Sequence, residues 1–401
     1  MCAKLEAFIQ GRKDNTSTST LRERIRFWRK EEKRAKKVKK LEEQNKKLER
    51  LLQRCCSPQI STMTLVQIPK GWQASIDKIQ SLGRILYNAL LKCWACNCGI
   101  RHEARFSLKS IDHSVVVAEV VEGNFDFLVR TGSSLGGTHH WHEGNILVRP
   151  KSSIPAQQQE ALLKICEATQ TIPGGMRLSL LIEDLQGTPK PWKLRPQPRR
   201  LKFTHAKPSV SLTELLKASM VEAAEFKKEL ALTVALSLLG LEEGTWLSHG
   251  WTKQNISFFH TADNKLDYGR PFFSTSFDHV PATLSEERCS GHRNPRILDL
   301  GILLLEIELG RPLESYRAEI ERYSEDSNPY SDFGVADHVA ERKLIGSSVD
   351  YREAVQACLR TPWVPGDQEV SLSDPRVRAG LYADVILKLK NEVEYMLRRT
   401  F

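Results

Sequence analysis

No stretch of this 401-residue chain approaches 18 apolar residues without a charge, so nothing in it reads as a bilayer-spanning helix. Met1 to Gly11 lack the basic start and long apolar run of a secretory leader. The nine cysteines are scattered, which argues against a disulfide framework across the chain. An intracellular, reducing setting follows as the expectation, cytoplasmic with the nucleus as the alternative. Asn15-Thr16-Ser17 and Asn255-Ile256-Ser257 fit the glycosylation pattern, which carries no meaning without a secretory route. Also missing are Gly-x-Ser-x-Gly, His-Glu-x-x-His and the dinucleotide fingerprint. Ser, His and Asp never fall in an order that argues a hydrolase triad.

What is present is a foldable composition, 40% hydrophobic and 27% charged, with a formal net charge of +10. Between Arg22 and Arg50 stand 14 Lys or Arg and 6 Asp or Glu, a net of +8, so most of the excess belongs to one segment. Residues 1–20 read as a loose arm. Residues 21–57 read as a basic helix or short coiled coil, since no Gly or Pro occurs from Leu21 to Arg54 and good helix formers dominate. Val38, Leu41, Asn45, Leu48 and Leu52 alternate spacings of three and four, one helical stripe in which a lone Asn can fix register. Arg22, Arg24, Arg26, Arg29 and Lys30 are placed to meet phosphates or a partner. The resemblance to a basic-zipper protein is loose, because Phe27 and Trp28 interrupt the basic surface and the base-reading pattern is absent. An unidentified protein partner is the expectation, self-association through this helix being one form of it, with nucleic acid as the weaker alternative.

Residues 72–186 read as a helix followed by a small sheet region. Ile76, Ile79, Leu82, Ile85, Leu86 and Leu90 mark the buried face of a helix over 72–91. Cys93, Cys96, Cys98 and His102 follow within ten residues; the ligand types suit zinc, but only Cys93 and Cys96 have a usual gap, and buried thiols are the competing reading. Strands are expected over 104–108, 114–121, 125–129, 141–148 and 176–185, with a helix over 157–168. The Gly-rich run Thr131 to Gly137 has no phosphate-loop ending, and His139, His140 and His142 with Glu143 are more simply loop residues than metal ligands. Residues 187–208, with Pro189, Pro191, Pro196 and Pro198, read as a linker.

Residues 209–401 read as a helical half. Ser211-Leu212-Thr213-Glu214 is a capping signature, and helices are expected over 226–241, 298–309, 351–360 and 377–397. Several blocks occur in order: Trp94, Cys96, Cys98 and His102; Ser211 and Leu212; Trp246, Leu247, Trp251, Lys253, Ile256 and Phe258; Asn294 to Glu306; and Gly310 to Glu314. Over roughly residues 75–395 this pattern resembles the fungal family of kinase-like domains called DUF7580. That resemblance implies a neighbourhood of HeLo-type helical modules linked to prion inhibition and cell-death signalling.

The deeper resemblance is to a protein-kinase C-lobe. It implies an α+β, degenerate protein-kinase-like fold, with a small antiparallel sheet region and a larger helical lobe after the basic N-terminal helix. Phosphoryl transfer needs a base, two groups on Mg²⁺ and a Lys on the phosphates. If Asn255 takes the metal-binding Asn position, the catalytic Asp position falls on Gly250, which has no side chain to accept a proton. His249 lies beside it. Asp267-Tyr268-Gly269, 12 residues after Asn255, has the spacing of the second metal ligand, although a chance turn gives the same three residues. No phosphate-orienting Lys is visible. The expectation is a non-catalytic scaffold without a required cofactor, with ATP and Mg²⁺ at Asn255 and Asp267 as the rival. Trp246, Trp251 and Gly301 are assigned to structure. So is Glu306, whose place in an apolar helix calls for a partner such as Arg360.

Overall fold

The apolar stripe expected over 72–91 forms helix α1, Lys70–Trp94, with Ile76, Ile79, Leu82, Leu86 and Leu90 all buried. The computed structural model describes residues 70–399, with breaks at 95–102, 110–122, 131–140, 150–159, 186–187, 202, 204–206, 221–222, 242–245, 247–250, 276, 278–291, 324–330 and 365–369. The chain divides into two units, Met1–Leu65 and Val66–Phe401. The first unit, with Arg22 to Lys30 and the stripe Val38 to Leu52, lies outside the described residues, as does the strand expected over 114–121.

The second unit is a mixed α+β fold. Its strands are β1 (Glu103–Ser107), β2 (Gly123–Arg130), β3 (Trp141–Arg149), β4 (Glu160–Ala161), β5 (Met176–Leu185), β6 (Thr188–Lys193), β7 (Gln197–Pro198), β8 (Val210–Ser211), β9 (Ile256–Phe258) and β10 (Phe272–Thr275). They form one sheet in the order β4-β6-β5-β3-β2-β1-β10-β9-β8, with β7 on β5. The β3–β5 pair is parallel, joined through helix α2 (Ile165–Gln170), and the other pairs are antiparallel. The sheet is therefore neither small nor confined to the first half. Strand β1 pairs β2 on one side and β10 on the other, with Ala104 and Phe106 buried, and this joins the two sequence halves.

The expected linker at 187–208 is also corrected: β6 and β7 occupy much of it. Proline is tolerated there because β6 lies near the edge. Pro191 turns its carbonyl outward, accepting the Leu162 N–H at 3.0 Å, so its missing N–H would also have faced away from β5. Pro189 stands two residues earlier on the same side. The helix expected from 157 starts only at Ile165, because Glu160–Ala161 pairs with Trp192–Lys193.

Helix α3 (Leu212–Lys217) opens on the anticipated capping box: Glu214 N–H donates to Ser211 Oγ at 3.2 Å, and Ser211 N–H to Glu214 Oε2 at 2.7 Å. Helix α4 (Ala224–Leu241) is buried nearly all round from Leu230 onward. Helix α5 (Pro295–Leu309) starts with Asn294 accepting the Ile297 N–H at 3.0 Å and ends on Gly310 at φ 67°. Then come α6 (Leu313–Tyr323), α7 (Asp332–Lys343), α8 (Val349–Arg360), α9 (Pro375–Leu381) and α10 (Leu387–Arg399). A π-helical turn over Tyr382–Ile386 interrupts what the sequence reads as one helix over 377–397. Gly380 lies against the Trp363 ring there, and Trp363 Nε1 donates to Asp384 at 2.7 Å.

Trp246 is buried where α1 meets β1: its indole N–H donates to Gly83 O at 2.9 Å, and its ring meets Tyr87 and Phe106 edge-on. Gly301 permits the close approach of α5 to α8, since a Cβ there would stand 3.0 Å from Cys358 Cβ. Among the described residues no helix is long and apolar enough to cross a membrane.

Candidate functional site

Three local rules place a cleft at the end of α5. A 3₁₀ turn, Lys253–Asn255, leads into β9 and carries the Lys253 side chain inward. Gly310, in the left-handed region, reverses the chain after α5, so the Leu313 N–H comes back onto Glu306 Oε1 at 2.7 Å. Helix α6 then starts with Glu314 facing the same point. The result is a concavity of about 250 Å³, lined by Trp251, Lys253, Asp299, Glu306, Glu314 and Arg317, with Asp332 of α7 at its margin.

Lys253 is the centre of its electrostatics. Its ammonium donates to Glu306 Oε1 and to both oxygens of Glu314, at 3.0 and 2.8 Å. The Lys253 and Glu306 side chains are only 7% and 2% exposed, whereas Glu314 is 66% exposed. Burial works against the Lys253 charge, but Glu306 and Glu314 outweigh it and hold its pKa above the ordinary lysine value. Burial pushes the Glu306 carboxyl up, against the pull of Lys253 and the Leu313 N–H. Glu314 also meets burial, yet its hydrogen bonds to Lys253 leave it below the usual carboxylate range. Arg317 pairs with Asp332, and Asp299 accepts the Trp251 backbone N–H at 3.1 Å.

The partner of Glu306 is therefore Lys253 and not Arg360. Arg360 points to the exposed face of α7, where it pairs with Asp337 at 3.2 Å and Glu341 at 2.8 Å. The need for a cation was readable from a carboxylate in an apolar helix. Its identity was not, because the pair is 53 residues apart and joins a loop to a helix.

The structure does not bring Asn255 and Asp267 together. Ser257 faces Phe272 and Ile256 faces Phe273, so Ser274 comes next to Asn255. Asp267 lies beyond the other end of β9, its N–H donating to Phe259 O at 2.9 Å. Phe259 is four extended residues along from Asn255, with β9 between them, about 13 Å. Ligands at ~2.1 Å from one Mg²⁺ lie much closer than two such short side chains can come. Asp267 and Lys109 instead flank Gly269: Asp267 Oδ1 and Lys109 Nζ lie 3.4 and 4.0 Å from the point where a side chain there would start.

Cys93 is buried in the core, its thiol facing Leu162 O at 3.6 Å, and burial pushes its pKa up to about 12. Cys96, Cys98 and His102 lie outside the described residues. Glu143, weighed above beside the histidines, accepts the backbone N–H groups of Arg200 and Leu201 at 2.9 and 3.0 Å and lies 3.9 Å from Arg177. Trp251 packs on Phe273 with ring centroids 4.8 Å apart.

Fold and cleft define an α+β domain in which a sheet and a helical bundle share one core, with a polar cleft on the helical side. Over residues 73–396 the sequence matches the family described as Domain of unknown function (DUF7580), and the chain belongs to that family. No curated protein matches the chain significantly.

Proposed function

We propose that this chain is a non-catalytic, pseudokinase-like interaction module. The order of elements supports the kinase-like part. A core helix (α4), a turn carrying Asn255, the antiparallel pair β9–β10, the buried helix α5 and a set of further helices follow one another as in a protein-kinase C-lobe. The resemblance to fungal kinase-like domains, and through them to HeLo-type signalling modules, points the same way. One observation carries the non-catalytic part: the lysine beside Asn255 is tied to two carboxylates, and Asp267 stands beyond the far end of β9. Phosphoryl transfer depends on positioned cations and metal ligands converging on one phosphate. The Lys253 ammonium has three N–H donors, and three carboxylate oxygens of Glu306 and Glu314 already accept from it, leaving none for a phosphate.

The test is calorimetric titration of the full chain with MgATP, alongside Asn255→Ala and Asp267→Ala. The expected result is no saturable heat up to about millimolar nucleotide. Saturable binding lost in both variants would place a nucleotide site at these residues and overturn the reading. The concentrated charge of residues 22–50 motivates a second reading, nucleic-acid binding. It requires an affinity that falls steeply with salt and disappears when those residues are removed.

A further inference from the structure

We infer that the outer face of the sheet around β6 and β7 is a docking surface for an anionic lipid bilayer. Between Thr188 and Thr213 stand 7 Lys or Arg and no Asp or Glu. The structure lays that composition along β5. Lys190 stands opposite Glu183, and the Arg199 N–H donates to Gly175 O at 3.1 Å, so the two cations lie about 25 Å apart. Side chains alternate across a strand, and the register assigns their faces. Leu178, Leu180 and Ile182 join the core that holds α1, so Arg177 and Glu183 point to the outer face. Lys190 shares that face with Glu183, and Gln197 shares it with Arg177, which carries Arg199 there too. Arg200 crosses the same face, its N–H donating to Glu143. Lys190, Arg195, Arg199 and Arg200 are all exposed. The carboxylates that β2, β3 and β5 add to this face leave the solvent side to the cations. Glu143 and Glu183 are each 1% exposed, and Asp126 pairs with Arg177 at 3.5 Å. Among the described residues no carboxylate pairs with Lys190, Arg195 or Arg200. Burial and then the neighbouring Arg200 hold the Arg177 guanidinium below its ordinary pKa, a like-charge contact that an outside anion relieves.

A second feature separates a bilayer from other polyanions. Glu160 pairs with Lys193 and Ala161 with Trp192, and the Leu162 N–H donates to Pro191 O at 3.0 Å. The same register carries Leu163 beside Lys190, on the outer face. Leu162 is buried, whereas Leu163 is 75% exposed. A leucine standing out beside a lysine offers an apolar tip that a bilayer takes up at the level of its headgroups, while the cations meet the headgroup charge. A nucleic acid gives that leucine no such environment. Trp192, the ring on β6, is half-buried and is not the open platform on which bases stack.

The experiment is co-sedimentation of the full chain with vesicles of phosphatidylcholine, alone or with about 30% phosphatidylserine. The expected result is partition onto the anionic vesicles that falls with added salt, and none onto phosphatidylcholine. Residues 22–50 also carry charge that an anionic surface attracts, so variants must locate the effect. Lys190→Gln with Arg199→Gln removes two cations from the sheet face; Arg342→Gln with Lys343→Gln removes two exposed cations from α7. The first pair should weaken partition about 25-fold and the second less than about threefold. Leu163→Ser, which changes no charge, should weaken it about fivefold. Circular dichroism and the urea midpoint should stay near wild type throughout, since all five side chains are exposed. Equal partition onto the two kinds of vesicle, equal losses in the two double variants, or Leu163→Ser at wild-type partition would each overturn the inference. So would tight binding of a single-stranded DNA oligonucleotide through Lys190 and Arg199 without any binding to the anionic vesicles, which would reassign the face to nucleic acid.

Discussion

Replacing Lys253 by methionine removes one charge and keeps most of the side chain's length. Glu306 then stays 2% exposed with only the Leu313 N–H to accept from. Breaking a buried ion pair by deleting one partner is destabilising by about 3–5 kcal/mol, because the remaining charge stays desolvated. The surviving Leu313 bond sets the expectation near ~3 kcal/mol. Lys253→Met combined with Glu306→Leu removes both charges, and that double variant should return to within about 2 kcal/mol of wild type. Glu314→Gln should lose under ~1 kcal/mol, since that carboxylate is largely in solvent. Urea unfolding followed by tryptophan fluorescence, assembled as a double-mutant cycle, measures all of these. The pH dependence gives a second check. In Lys253→Met the buried Glu306 has a folded-state pKa above the unfolded carboxylate value of ~4.3, so the folded state binds the proton first. Stability of that variant relative to wild type should therefore rise as pH falls from neutral through the raised pKa. A loss under ~1 kcal/mol for Lys253→Met, or strict additivity of the two substitutions, would refute the claim that this pair is a coupled buried charge pair.

Four further outcomes follow from the same structure. Gly301→Ala should destabilise by about 1–3 kcal/mol in a urea titration, although alanine is the better helix former, because the new Cβ meets Cys358 Cβ at 3.0 Å. Glu214→Ala should lose about 0.5–1 kcal/mol near neutral pH. The Ser211 N–H and hydroxyl bonds lower the Glu214 pKa, so this contribution is present above the unfolded carboxylate value and fades as pH drops through the folded one; equal stability of variant and wild type at pH 7 would refute it. Arg293 donates to Thr361 O and Val364 O, both at 2.6 Å, and to Thr361 Oγ1 at 3.2 Å, holding Thr361 at φ 41°. Arg293→Met should therefore speed amide hydrogen exchange at the end of α8 and destabilise by about 2–4 kcal/mol. Maleimide labelling followed by mass spectrometry should leave Cys93 and Cys358 unmodified in the native protein, since burial raises both thiols well above their ordinary pKa.

Local order was legible wherever a short-range rule governs it. The capping box at Ser211 and Glu214, the stop at Gly310 and the stripe of α1 each depend on residues within a few positions of one another. Glu306 also declared from sequence that it needed a partner, because a carboxylate among leucines cannot stay uncompensated. Chain-distant choices were not legible. Prolines read as a linker until β5 offered an inner edge to pair with and left the outer edge free of any need for their N–H groups. The sequence spacing of Asn255 and Asp267 suggests a shared metal; the β9–β10 register sets them apart, since a hairpin fixes which residues meet by its pairing and not by their separation along the chain. Lys253 was chosen over Arg360 by packing alone: the turn before β9 delivers an ammonium into the gap after α5, while Arg360 projects from the outer face of α8 toward water. Sequence by itself determined the α+β class, the helix caps and the demand for a buried cation, all consequences of short-range sterics and desolvation. Only tertiary structure decided how the strands join into one sheet and which charges share the cleft, because those depend on surfaces that meet once the chain has folded.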